Sequence, residues 1–505
     1  MVVETAVPHV SVHEAQFEWW RRTVGFFLGP LVFLLMLAVP LGGLAPDAHR
    51  LAAVVSLVVV WWVTEPIPIP ATALLGASLA VVFGITSAQE ALAPFASPTI
   101  FLFLGSFILA EAIAVHGLDR RLAFGLLSRR WVGGSPWRVR LAIGLLAAGL
   151  SMWMSNTATA AMLLPVAIGL LGGVERAAGR PGATGLLLVL AYSASIGGIG
   201  TPVGTPPNLI TLGMLSQLVH RDIDFFRWMA LGVPTAAAMY VALTVIAGRL
   251  YPTEPPPAGP ARSRVVEGME DARQHLGPYT RGEKNCLAAF GLAVTLWLAP
   301  GVVAIVAGTS SPAYRLIGGR LDEGVVALLA AALLFVLPVD WKQRRFTITW
   351  AQASRIDWGT ILLFGGGLSL GRLMFTTGLA ERIGRGLVMV SGAESLWAVT
   401  AVMTAVAILT TEITSNTAAT NMLVPVALAI AGAAGISPIP PALGIALGAS
   451  MAYMLPISTP PNAIAYGTGL VPLTAMMKCG LVLDLVSFLI IITALRLLCP
   501  VLGLL

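Results

Sequence analysis

The sequence is short of charge. Asp, Glu, Lys and Arg together make up 11% of its 505 residues, where a soluble domain carries about 25%. It is also short of the residues that enzymes use for acid–base and metal chemistry. It has 6 His and 3 Cys, and no His, Cys or Asp cluster marks one depth of the apolar segments, which argues against a membrane-embedded enzyme. Cys286, Cys479 and Cys499 adjoin or enter apolar stretches, and their spacing fits neither a disulfide framework nor a metal site. No cleavable leader is evident. The N-terminal segment is polar, with Glu14, Glu18, Arg21 and Arg22, and the apolar run after it is long enough to span a bilayer. The formal net charge of +6 does not indicate nucleic acid, because the Arg clusters lie between apolar segments, where they set orientation in a membrane.

What the chain has in excess is apolar side chain: 57% of the sequence, with a mean hydropathy of +0.86. This is an all-α polytopic membrane protein with room for roughly ten or more spans of about 20 residues. Apolar runs lie near 24–44, 51–63, 67–86, 99–117, 139–170, 184–217, 228–250, 285–306, 323–338, 358–378, 396–432, 439–472 and 479–503. Two of them, 139–170 and 396–432, are too long for one span and read as hairpins that enter the membrane and return. Two others hold Gly-Pro-rich interruptions, GGIGTPVGTPPN and LPISTPPN. Pro removes a backbone donor and Gly favours irregular torsions, so these helices are expected to break in mid-membrane. Such backbone is tolerated only where protein or a wet cavity satisfies it. The expected total is about 11 transmembrane helices plus two re-entrant helical hairpins. WWVTEPIPIPATALL at 61–75 reads as a span boundary, with Trp at the interface and a Pro-rich backbone re-entering.

These irregular segments come in pairs. Ser155-Asn156-Thr157 recurs as Ser415-Asn416-Thr417, 260 positions on, and GTPPN at 204–208 recurs as STPPN at 458–462, 254 positions on. The helix TIFLFLGSFILAEAIAVHGL (99–118) aligns with TILLFGGGLSLGRLMFTTGL (360–379) at an offset of 261. Duplicated polar breaks in spanning helices point to a secondary transporter's binding site. The first linker holds Arg120, Arg121, Arg129, Arg130, Arg138 and Arg140 against Asp119; the matching one has Arg382 and Arg385 against Glu381 and Glu394. The positive-inside rule puts the first in the cytoplasm and lets the second face outside, so the repeats are expected to be inverted. The N-terminus, 251–284 and 339–357 then fall inside.

Ser, Asn and Thr are strong N-cap residues, and a helix beginning just after them offers N–H groups and partial positive charge to an anion. In TPPN, Thr205 or Thr459 is expected to cap while Pro fills the first turn. Four such ends brought together make an anion site without a fixed positive charge. Free carbonyls and Ser, Thr and Asn oxygens at the same breaks suit a hard cation such as Na⁺. A single SNT also reads as a plain cap or a small-residue packing motif; two in register, each followed by TPPN, favour a site. Glu412, three residues before Ser415, reads as a rim or water-facing acid ahead of a proton-coupling one. Interhelical pairing or an interface position accounts for Glu111, His116, Arg372 and Asp484 as well as a proton relay does.

At these residues the chain resembles the divalent anion/sodium symporter (DASS) family of di- and tricarboxylate carriers, bacterial dicarboxylate type. The likeness rests on the paired SNT motifs, the paired TPP breaks, TEPIPIP and the order of spans. It implies an elevator-type homodimer in a bacterial cytoplasmic (inner) membrane. The scaffold would comprise 1–138 and 285–378, the transport domain 139–250 and 379–505, and the cytoplasmic linker 251–284. It implies one Na⁺ site at Ser151, Ser155, Asn156 and Gly204, and another at Thr411, Thr414, Asn416 and Ser458. Substrate carboxylates would meet Ser155, Asn156, Thr157, Ser415, Asn416 and Thr417, with Thr205, Pro206, Thr459 and Pro460 closing the site. The expected function is Na⁺-coupled uptake of a C4-dicarboxylate such as succinate, malate or fumarate. Citrate, sulfate, dicarboxylate exchange and a passive anion channel stand as alternatives.

Overall fold

A computed structural model describes residues 12–40, 42–129, 131–132, 135–171, 180–253, 276–308, 310–391 and 395–505. Most of the expected linker 251–284 lies outside these residues, as do Arg130 and Glu394. The described chain is helical apart from one two-stranded hairpin, Pro338–Asp340 with Arg345–Phe346. Asp340 closes its turn by accepting from the N–H groups of Lys342 and Gln343.

Among the described residues, 10 helices are long and apolar enough to cross a membrane. They differ in what they face. Only 11% of the apolar window of the first, within Val12–Ala38, is buried, against 89% for Pro181–Gly198. A helix apolar all round and enclosed by protein belongs to the core, whereas one left exposed meets lipid. Pro181–Gly198 is therefore central, and Val12–Ala38, Arg281–Ala307 and Leu473–Val501 are peripheral.

Each long run resolves into two helices. The first becomes Pro136–Ser151 and Asn156–Leu170, and the second becomes Leu396–Ile413 and Asn416–Ala434. The Gly-Pro runs resolve as broken helices: Pro181–Gly198 then Pro206–Val219, and Ile439–Gly448 then Pro460–Tyr466. The order of elements after Pro98–His116 is an amphipathic helix (Leu118–Leu127), a hairpin, a broken helix and Phe225–Leu250. The same order follows Trp358–Thr376, with Leu379–Ser391 first and Leu473–Val501 last. Packing is matched as well. Pro98–His116 lies on Glu323–Val336, and Trp358–Thr376 lies on Ile69–Val82. Each hairpin's first limb packs on the following broken helix.

Two contacts anchor the ends of these elements. Arg121 pairs with Glu283 at 2.6 Å and donates to the carbonyls of Leu276 and Gly277. The start of the first linker therefore sits beside the start of Arg281–Ala307. Trp61 and Trp62 correct the expectation of an interfacial pair. Helix Pro46–Thr64 does end there, but both indoles are buried; Val12–Ala38 lies over Trp61, whose Nε1 donates to the Gly25 carbonyl at 3.0 Å.

Candidate substrate and cation site

Each hairpin turns on its SNT. Ser155 is extended (φ −62°, ψ 142°) and its hydroxyl accepts from the N–H of Ala158 at 3.1 Å; Ser415 does the same for Ala418 at 3.2 Å. The serines thus cap, and Asn156 and Asn416 open the helices. Each Asn side chain reaches back across its tip. Asn156 Oδ1 accepts from Ser151 at 2.6 Å, and Asn416 Oδ1 from Thr411 at 2.7 Å. Thr411 Oγ1 also lies 2.7 Å from the carbonyl of Ala449. One hydroxyl proton cannot serve two acceptors fully, so oxygen lone pairs are in surplus here, which is the donor set a hard cation takes.

The breaks are held differently from expectation. Thr205 and Thr459 do occupy the N-cap positions, but neither side chain caps. Two prolines follow each threonine and fill the first turn, where a missing N–H costs little; the next N–H of the first helix, that of Asn208, goes to the Thr205 carbonyl at 3.2 Å instead of its hydroxyl. Oγ1 of Thr459 is buried without a partner. The carbonyl ends are stitched by a residue that the sequence reading left without a role. Asn208 Nδ2 donates to the carbonyls of Gly198 (2.9 Å) and Thr201 (2.7 Å), and Asn462 Nδ2 to those of Ala452 (2.9 Å) and Leu455 (3.1 Å). The signal was present: Asn is the last residue of both TPPN copies. Gly204 is needed for close approach, since a Cβ there would stand 2.5 Å from the Gly198 carbonyl oxygen.

Glu412 is not a rim acid. It is buried, and its carboxylate accepts from the N–H groups of Tyr453 (2.6 Å) and Met454 (2.9 Å) and from the hydroxyl of Ser458 (2.9 Å). It clamps the second break to the second hairpin. At the corresponding place in the first half, Met152 offers only its carbonyl, to the hydroxyl of Thr201. The other acids and bases in apolar runs divide. His116 bonds the Thr347 carbonyl through Nε2 at 2.7 Å. Asp484 is buried with both carboxyl oxygens lacking a hydrogen-bond donor. Glu111 and Arg372 line separate cavities.

The four motifs converge. All ten residues expected at the substrate line one cavity of about 540 Å³, together with Gly204 and Ser458. Ser151, Thr411 and Thr414, expected at the cations, are buried behind this lining. The opposite wall carries Glu111, Arg355, Asp357 and Thr360. Asp357 is spent on its own helix, accepting from the Thr360 N–H at 3.1 Å. Arg355 corrects the expectation of a site without fixed positive charge: the tips have none, but the facing wall supplies one guanidinium. In the sequence Arg355 lies in the stretch 339–357 expected inside, and nothing there sets it against the motifs.

The chain matches the family described as "Sodium:sulfate symporter transmembrane region" over residues 17–505. It belongs to that family. This agrees with the DASS likeness drawn from the motifs. The chain is 34% identical over 469 residues to an uncharacterized transporter of Haemophilus influenzae, covering 92% of this chain and 94% of that protein. It is 32% identical to the sodium-dependent dicarboxylate transporter SdcS of Staphylococcus saprophyticus, covering 95% of this chain and 92% of the relative. Its fold is similar to that of the YdaH transporter of Alcanivorax borkumensis, with a TM-score of 0.55 at 14% identity over 95% of this chain and 97% of that one. The chain is a multi-pass transporter of the bacterial cytoplasmic membrane that couples small anions to Na⁺, and not an enzyme.

Proposed function

We propose that the protein takes up C4-dicarboxylate dianions such as succinate, malate or fumarate, driven by Na⁺. The observation that carries this reading is the convergence of both SNT tips and both TPP breaks on one cavity. Ser155, Asn156, Thr157 and their counterparts Ser415, Asn416, Thr417 present helix N-termini to the two carboxylates. Thr205, Pro206, Thr459 and Pro460 close the site. One Na⁺ is held by Ser151, Ser155, Asn156 and Gly204, and the other by Thr411, Thr414, Asn416 and Ser458. The hydroxyls of Thr414 and Ser458 donate to Trp62 O (3.2 Å) and Glu412, and these small residues serve the cation mainly through backbone oxygen, so their hydroxyls need not be ligands. Each asparagine is shared between cation and anion, which makes their affinities reciprocal. The SdcS relatives' name favours a dicarboxylate over sulfate or citrate.

The topology that fits is eleven crossings and two hairpins in inverted repeats, with a cytoplasmic N-terminus. Residues 1–138 and 285–378 form the scaffold, and 139–250 and 379–505 form a transport domain that moves as an elevator in each protomer of a homodimer. Arg121 at Glu283 agrees, since it joins two segments assigned to the cytoplasm. On this reading the four-motif cavity, which Arg355 faces, is open to the cytoplasm. The test is uptake into liposomes holding the purified protein. Radiolabelled succinate should accumulate only with an inward Na⁺ gradient, and malate and fumarate should compete better than sulfate or citrate. Accumulation without Na⁺, or competition led by sulfate, would overturn the reading.

A further inference from the structure

A second cavity of about 520 Å³ lies at the far end of the same helices that form the first. Helix Trp358–Thr376 begins at the four-motif cavity, beside Arg355, Asp357 and Thr360, and ends at the second, with Arg372 and Thr376. Helix Pro206–Val219 runs parallel to it. Its first residue lines the first cavity, while Ser216, Gln217 and His220 at its end line the second. The 19 residues of Trp358–Thr376 span ~28 Å, close to the ~30 Å of a bilayer's hydrocarbon core. Between the two cavities the helices meet tightly. A Cβ on Gly213 would come within 2.5 Å of the Phe364 ring, which also packs on Phe103 at 5.7 Å between centroids. Between the two cavities, an element of the proposed scaffold and an element of the proposed transport domain are thus in close contact at Gly213 and Phe364.

We propose that the second cavity is an anion-receiving vestibule on the extracellular face, in which the Arg372 guanidinium captures the dianion before it reaches the four-motif site. The proposal rests on the transport reading above and extends it. Arg372 is exposed and makes no ion pair or hydrogen bond among the described residues. Ser216, Gln217, Thr376 and His220 add hydroxyl, amide and imidazole donors around the same space. Both helices end here at their C-termini, whose partial negative charge repels an anion. Glu90 adds a carboxylate within electrostatic reach of Arg372 and accepts from Thr86 at 2.8 Å. Capture therefore depends on the guanidinium, which is also the group that pairs with a carboxylate through two parallel hydrogen bonds. Arg355 holds the corresponding place at the other end. Arg355 in the turn just before this scaffold helix and Arg372 near its end thus place a cation toward each side of the membrane. The competing role for Arg372 is to complement the dipole of its own helix, one turn from its end.

Sidedness separates the two roles. Succinate uptake and efflux are measured in oriented membrane vesicles for wild type, Arg372→Gln, Arg372→Lys, Glu90→Gln and Arg355→Gln. Arg372→Gln should raise the uptake KM about tenfold, weaken its dependence on ionic strength, and leave the efflux KM unchanged. Arg372→Lys should recover most of the loss, Glu90→Gln should lower the uptake KM, and Arg355→Gln should raise the efflux KM instead. An unchanged uptake KM in Arg372→Gln, or a loss of Vmax equal in both directions, would overturn the proposal. Absence of any wild-type succinate flux would instead reject the substrate reading on which it rests.

Discussion

Glu412 and Met152 hold corresponding places in the two halves and do different work. Met152 offers a backbone carbonyl to Thr201. Glu412 fixes two N–H groups and the Ser458 hydroxyl with a charged acceptor. Hydrogen bonds to a charged group contribute about 1.5–3 kcal/mol each, so the second break is held more rigidly than the first. It also places a negative charge beside the cation position proposed at Thr411, Asn416 and Ser458. Glu412→Gln should therefore raise the Na⁺ concentration needed for half-maximal uptake by roughly tenfold, while Met152→Leu changes it little. Unaltered Na⁺ activation in a well-folded Glu412→Gln would show that the carboxylate does not serve the cation. At this scale the sequence was legible wherever residue type and duplication agreed, as at Asn156 and Asn416. It was not legible where the outcome depends on what lies opposite in space. Glu412 could be read as an acid near a tip, but its partners stand about 40 positions away at Tyr453, Met454 and Ser458.

At the scale of elements, the long runs and the Gly-Pro interruptions told most of the story. Ser-Asn-Thr starts a helix because its serine caps, and Thr-Pro-Pro restarts one because proline fits the first turn. The threonines do not cap, although each helix keeps an N–H at its third residue; at the first break Asn208 gives that N–H to the Thr205 carbonyl. Asn208 and Asn462 were missed because carbonyls freed by a break leave no mark in the sequence, although something must satisfy them at membrane depth. Inversion of the halves rests on charge in the linkers. Cysteines placed at Arg129 and at Arg385, both exposed, should be labelled from the cytoplasm and from outside respectively by a membrane-impermeant maleimide. Labelling of both from one side would remove the inverted arrangement and with it the two-faced role of helix Trp358–Thr376.

For the whole molecule, formal charge lies away from the Ser-Asn-Thr tips, and on the proposed function the tips bind by dipoles and shared oxygens. The motif-bearing elements present uncharged polar groups, while Glu111, Arg355 and Asp357 on the facing wall carry the formal charge around the cavity. That division follows from the cost of burying an unpaired ion in a bilayer. On the proposed function, tips made of N–H groups and hydroxyls become anion-selective when cations join them. The central claim is this mutual dependence of Na⁺ and dianion at the two asparagines. It is tested most directly by equilibrium binding of radiolabelled succinate to the purified protein over a range of Na⁺ concentrations, with Li⁺ or choline keeping ionic strength constant. Succinate affinity should rise steeply and cooperatively with Na⁺, and Asn156→Ala or Asn416→Ala should each lower it by roughly ten- to a hundredfold while flattening the Na⁺ dependence. Succinate affinity that is independent of Na⁺, or unchanged in both variants, would contradict the account.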